Sequence, residues 1–303
     1  MADRASFGDL LEPGFRQIFD DNYKETERVF TTLFEVLNST KQDEKDTAVT
    51  GFGLLVRKDE NGPIAYEDPV QMYDVTYTHI VYAKGFKISR EMYDDDQYNI
   101  MNGKPKALGR AARRTEETSA ANVFNRAFNT GFQGGDGVPL VSTVHPRADG
   151  GTSQSNASAT GLTFTESNYK TAKIAMRKQV DDKGMKIDVM PRKILVPIEL
   201  EDQANIVFKS NLRSGTADND MNPYANDVTV VPWIYLSSTT AWFLIDTEQA
   251  QLKWYWRDRA EFKQDETFET EQSLFKVRER FSNGFSDWRG IWGSQGDGNA
   301  YAS

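Results

Sequence analysis

The chain has only two histidines and no cysteine, so the candidates for nucleophilic or acid–base chemistry are quickly bounded. His145 sits in a Gly- and Ser-rich stretch with Ser142 and Asp149 beside it, the residue types of a nucleophile, a base and an orienting acid. A working triad is defined by geometry, and neighbours along one irregular loop do not supply it. A hydrolase built on the Ser142/His145 loop is kept as the rival from another functional class, testable by loss of activity in His145→Ala. His79 falls within an alternating strand pattern, where a partly buried structural role is expected.

Asp94-Asp95-Asp96 could attract a hard cation, but the run lacks the spaced oxygen ligands and turn glycine of a calcium loop. Acids at a helix start complement the helix dipole, which also explains Glu199, Glu201 and Asp202 after Pro197. Gly134-Gly135-Asp136-Gly137 has no following Lys-Ser or Lys-Thr and no strand–loop–helix setting, so it fails as a phosphate loop. Arg110, Arg113 and Arg114 precede Glu116 and Glu117, and ion pairs within the helix or between subunits fit better than phosphate contacts. The expectation is no catalytic residue, no cofactor and no metal ligand.

The elements around these residues come next. At 303 residues, with 38% hydrophobic and 27% charged residues, the chain has ample material for a core. A net charge of -9 argues against a nucleic-acid grip, which needs clustered Lys and Arg. No stretch approaches the ~20 apolar residues of a membrane span. The N-terminus lacks the apolar run of a secretory signal, and the absence of cysteine fits a reducing cytoplasm.

Residues 1–46 are polar and acidic, with a helix predicted over Asp20–Asn38 from Val29, Leu33, Val36 and Leu37. Gly51–Val56 runs into Arg57-Lys58-Asp59-Glu60, turns at Asn61-Gly62-Pro63 and returns through Ile64-Ala65-Tyr66, a hairpin signal. The return continues with Tyr73, Val75, Tyr77, His79 and Val81 on one face. An arm of about 15 residues reaches ~50 Å, against a radius of gyration of ~19 Å for a compact body of this length. Such a ribbon either lies on a neighbouring molecule or folds back onto its own sheet.

Residues 89–131 read as helix broken near Asn102–Pro105, with an apolar face of Ala120, Val123, Phe124, Ala127 and Phe128, a heavily charged surface upstream, and Gly131 as the cap. Gly131–Gly161 is long and loop-rich, so it is read as functional or mobile. Thr165 caps a helix through Gln179 that Gly184 closes; Met185, Ile187 and Val189 alternate as a strand, and Ile194–Val196 is a short buried one. Pro197 opens a helix bearing Leu200, Ala204, Val207 and Phe208. Beyond Val228 strands dominate, with Leu252, Trp254 and Trp256 alternating with polar neighbours and Phe275, Val277 and Phe281 sharing one face of the last long strand. Asn283-Gly284 is read as a turn and the segment after Gly293 as disorder-prone. The class is α+β.

Several motifs in this order resemble the major head subunits of tailed double-stranded-DNA phages, notably the Mu-like family. They are Gly85–Glu91, Gly134–Ser142 leading to His145-Pro146, Pro191–Pro197, Gly215–Pro223 and Asp287–Gly290. The resemblance implies the Hong Kong 97-type capsid fold. Residues 1–46 would be the N-terminal arm and 47–88 the extended loop. Residues 89–191 would be the peripheral domain, with its spine helix, the Gly-rich loop and the helix after it. Residues 192–250 would be the axial domain, 251–290 the return strands of the peripheral domain, and 291–303 a flexible tail.

It also implies hexamers and pentamers of this chain closing into an icosahedral head around double-stranded DNA, without specific DNA binding and without a membrane. Portal, a separate scaffolding protein and a decoration or cement protein are the other implied partners, and the virion capsid, assembled in the host bacterial cytoplasm, is the location. A compartment or gene-transfer-particle shell of the same fold is the nearer alternative. The subunit-interface residues expected on the extended loop are Leu54, Val56, Arg57, Lys58, Asp59, Glu60, Asn61, Gly62 and Tyr66. Arg110, Arg113, Arg114, Glu116 and Glu117 are candidates for inter-subunit ion pairs. Some relatives cross-link through a Lys-Asn bond assisted by Glu; no motif here matches, so non-covalent locking is expected. Substituting Gly62 or trimming Asp59–Pro63 is expected to impair assembly.

Overall fold

The computed structural model describes residues 7–25, 28–89, 91–92, 100–148, 150–212, 221–267, 269–270 and 272–301. Two four-stranded sheets organise it. The long sheet has the order β1 (Glu35–Asn38), β8 (Leu252–Thr267), β9 (Gln272–Phe285), β4 (Ile80–Ser89), with β1 parallel to β8 and the other pairs antiparallel. Its inward face carries Leu252, Trp254, Trp256 and Phe262 from β8 and Phe275, Val277 and Phe281 from β9, all buried. Alternation at period two puts them together on one side of the pleat.

Against that face lies the long helix α2 (Gly103–Asn125), preceded by a 3-10 turn over Ile100–Asn102, with Pro105 in its first turn. Ala120, Phe124 and Ala127 are buried there, and Val123 and Phe128 pack at the rim. The N-terminal helix α1 (Phe7–Glu25) packs on α2 and β8 through Phe15 and Phe19. Gly109 of α2 allows this approach, since a Cβ there would stand 2.8 Å from the Phe19 carbonyl oxygen.

The short sheet has the order β10 (Ile291–Ser294), β7 (Trp242–Ile245), β5 (Lys193–Val196), β6 (Thr229–Pro232). Leu195, Phe243 and Ile245 join the core under α2, while Ile194, Val196, Trp242 and Leu244 meet helices α3 (Glu166–Arg177) and α4 (Glu201–Lys209). Both faces are covered, which is why these strands read as unbroken apolar runs. Thr165 caps α3 by accepting from Asn168 N, and Tyr169, Ala172 and Met176 are fully buried beneath it. A separate hairpin stem, β2 (Asp43–Val49) with β3 (Gln71–Thr78), stands on the long sheet.

Several expectations need correction. The helix over Asp20–Asn38 stops at Glu25, and Phe30–Thr32 is a 3-10 turn leading into β1. Leu33 is buried but Val36 is exposed, because pairing of Glu35–Asn38 with Lys253–Trp256 overrides the helical spacing. The alternation through Tyr77 and His79 changes phase before Val81, which points outward where the chain leaves the hairpin for the long sheet. α2 ends at Asn125 with Arg126 as its C-cap, so Gly131 does not cap it. Met185–Val189 alternates in burial but forms no strand, only a Val180–Lys186 bridge. Asn283 and Gly284 continue β9, paired with Trp254 and Lys253. The presumed tail is held: Ile291–Ser294 is β10, Tyr301 stacks on Phe128 and Ala300 bridges to Thr160. α3 packs on the short sheet and not on the long one, because Tyr169 and Met176 share a core with Trp242 and Trp292. The Asp94–Asp96 run, Asp149 and most of Gly215–Pro223 lie outside the described residues.

Candidate assembly surface

The stem β2–β3 is fixed firmly at its foot. Tyr77 packs its ring on Tyr255 at 5.1 Å, and its hydroxyl bonds Ser286 Oγ at 2.6 Å. Lys253 pairs with Asp46, and Tyr73 donates to the Pro146 carbonyl at 3.3 Å. Gly135 lies so close under Tyr73 that a Cβ would stand 2.9 Å from the Tyr73 Cβ.

Beyond the stem the ladder stops. Residues 51–69 contain no strand, although they leave and return as a hairpin would. A clamp closes the base, with Thr50 N bonding Val70 O and Val70 N bonding Thr50 Oγ1, both at 2.9 Å. Just above it, Gly53 N donates to Glu67 Oε2 at 2.8 Å and Lys183 pairs with Glu67 at 2.6 Å. These two donors hold the Glu67 carboxyl below the usual range. At the tip, Gly62 N bonds Asp59 O at 3.0 Å, and Asn61 takes the left-handed conformation with φ 62°. The special backbone position is therefore Asn61 and not Gly62.

Between clamp and tip the loop exposes its apolar side chains. Leu55 is 100% exposed, Tyr66 90%, Leu54 77% and Val56 73%. Phe52, Ile64 and Val70 are exposed as well. A contiguous apolar patch of this kind marks an interaction surface in a folded protein, and the unpaired backbone beside it is ready to add to another sheet. Arg57 and Asp59 approach to 3.8 Å, but with 90% and 85% of their side chains exposed the pair adds little stability. Of these exposed apolar residues, the expected interface set holds Leu54, Val56 and Tyr66 and omits Leu55, Phe52, Ile64 and Val70; the unbroken apolar run Leu54-Leu55-Val56 is the available signal. Glu67 and Lys183 carried no sequence signal, being 116 residues apart.

The other candidate groups lie elsewhere. His145 is fully buried, its Nδ1 2.7 Å from Asp136 Oδ2, its Nε2 3.1 Å from Asn156 Oδ1 and its ring stacked 4.2 Å from Trp288. Both ring nitrogens are thus engaged by partners other than Ser142, whose Oγ accepts from Val144 N. His79 bridges Ser39 Oγ and Ser282 Oγ at 3.1 and 2.9 Å; burial and then Arg280 push its pKa down. Among the described residues no group of three or more His, Cys, Asp or Glu could hold a metal, and no helix is long and apolar enough to cross a membrane.

The expected charged surface of α2 is corrected as well. Arg113, Glu116 and Glu117 are buried, and Arg110 and Arg114 are exposed. Glu117 accepts from Trp233 Nε1 at 2.9 Å and from Val29 N at 3.0 Å, while Glu116 accepts from Tyr23 Oη and Arg113 Nη1. These carboxylates join parts of one chain.

Comparison with known proteins bears on this arrangement. The family model described as phage capsid protein matches residues 73–294. No curated protein sequence matches the chain. Among solved structures, the bacteriophage JBD30 capsid is similar at 15% identity and TM-score 0.56, covering 70% of this chain and 92% of that one. The virus-like particle from Pyrococcus furiosus is similar at 9% identity and TM-score 0.56, covering 93% and 98%. The capsid of a native GTA particle is similar at 14% identity and TM-score 0.56, covering 88% and 90%. With its long helix on a long sheet, a second small sheet and a projecting loop, the chain has the Hong Kong 97-type fold and belongs to the phage capsid protein family.

Proposed function

We propose that this chain is the major capsid protein of a tailed phage with a Mu-like head subunit, assembling as hexamers and pentamers into an icosahedral head that encloses double-stranded DNA. The observation that carries this reading is the loop of residues 50–70, apolar, unpaired and clamped only at its base. Its leucines and most of its backbone groups, Gly53 N and Gly62 N apart, gain protein partners only if a second subunit provides them. The stem and loop then act as the extended loop, the long sheet with α2 as the peripheral domain, and the short sheet with α3 and α4 as the axial domain. Locking between subunits is non-covalent, through buried area summed over many copies. Arg110 and Arg114, exposed on α2, remain candidates for inter-subunit pairs. Portal and decoration proteins are the further partners this reading expects, with assembly in the bacterial host.

Electron microscopy of the purified chain tests it: closed shells or capsomers support the reading, and a monodisperse monomer at assembly concentrations overturns it. The likeness to the virus-like particle and to the GTA capsid keeps a gene-transfer or compartment shell as the second reading. Nucleic acid recovered from purified particles separates them, since a phage head carries one defined genome and the alternatives do not.

A further inference from the structure

Beneath α2, away from the assembly loop, two carboxylates are buried on facing elements. Glu116 projects from α2, and Glu279 from the face of β9 that also carries Val277 and Phe281; their exposures are 0% and 2%. Their surroundings differ. Glu116 accepts from Tyr23 Oη at 2.5 Å and Arg113 Nη1 at 3.0 Å, with Arg28 Nε at 3.7 Å. Glu279 Oε2 has no hydrogen-bond partner among the described residues.

The other charged or titratable groups at this junction are Glu117, held by Trp233 and Val29, Arg259 on β8, whose charge reaches Glu116, and Tyr82, which lies across the strands from Glu279. Tyr23 and Arg28 belong to the N-terminal segment, so part of that segment's polar attachment runs through Glu116.

We propose that Glu279 keeps a proton while the N-terminal segment is docked, and that the Glu279–Glu116 pair releases protons when the segment lifts, which makes α1 a proton-linked latch on the long sheet. An ionised Glu279 without a hydrogen bond at Oε2, next to a second carboxylate, is the unfavourable state. In line with this, burial and then the Glu116 charge, against the opposing charge of Arg28, push Glu279 up to about 8. Burial pushes Glu116 up to about 7 even though Tyr23, Arg28 and Arg259 favour its charged form. Both values lie above the ordinary 4.5, so the docked state binds more protons at neutral pH than an opened, hydrated one. Docking is therefore strongest below about pH 4.5 and weakens as pH rises through about 7 and then about 8.

Hydrogen exchange of the full-length chain, corrected for intrinsic rates, reads the latch through the α1 amides. Their protection is expected to fall about tenfold between about pH 7 and pH 8, and only about twofold in Glu279→Gln, where Glu116 alone still titrates. An infrared band of a protonated carboxyl, present in wild type at neutral pH and lost in Glu279→Gln, is expected alongside. Wild-type protection that stays flat across this interval overturns the proposal, as does an equal fall in Glu279→Gln or the absence of the band.

Discussion

The connection of residues 50–70 and the connection of residues 131–161 are both long, and among the described residues neither carries a helix or a ladder strand. The second is rich in Gly, Ser and Asn, yet it is held from within. Asn156 accepts from Ser142 N and donates to the Leu140 carbonyl, His145 ties Asp136 to Asn156, and Leu140 and Val141 enter the core. The first is rich in Leu, Val and Ile, yet it projects with those side chains in solvent. Polar composition did not mark the projecting connection, nor apolar composition the buried one. What separates them is whether backbone and side-chain partners exist within the same chain.

The comparison can be broken or sharpened by substitution. The largest effect is expected from replacing residues 52–68 by a short turn, which keeps the Thr50–Val70 clamp. Shells should vanish from electron micrographs while the circular dichroism of the subunit remains, and abundant shells would break the comparison. Next, Asn156→Ala removes a buried amide that serves Ser142 N, His145 and Leu140 O, and should cost about 2–4 kcal/mol in denaturant unfolding. A loss below ~0.5 kcal/mol would mean that the Gly-rich connection is not held as described. In contrast, Leu54→Asp with Leu55→Asp should change subunit stability by less than ~0.5 kcal/mol while sharply lowering shell yield in light scattering. Smallest is the tip: Asn61→Val strains a left-handed position by about 1–3 kcal/mol locally, whereas Gly62→Ala should be nearly silent in assembly rate.

Much of the fold was legible because its signals are local. The alternation of Leu252, Trp254 and Trp256 located β8, the spacing of Ala120, Phe124 and Ala127 located the buried stripe of α2, and Thr165 marked the start of α3. The losses share one cause, partners distant in sequence. Glu116 and Glu117 look like a solvated run until Tyr23 and Trp233, 93 and 116 residues away, are brought to them. The C-terminal segment looks loose until Tyr301 meets Phe128. Glu35–Asn38 keeps helical spacing but finds β8. Of the site, the loop limits and tip were readable from Gly51 to Tyr66, while Leu55, Glu67 and Lys183 needed the three-dimensional arrangement.

The central claim is that residues 51–69 receive their partners from a second subunit. Amide hydrogen exchange of this segment, compared between the unassembled subunit and the assembled shell, tests that most directly. The account expects exchange near the intrinsic rate in the subunit and strong protection of Leu54–Arg57 and Ile64–Glu67 in the shell. Equal exchange in both states, or full protection already in the subunit, would contradict it.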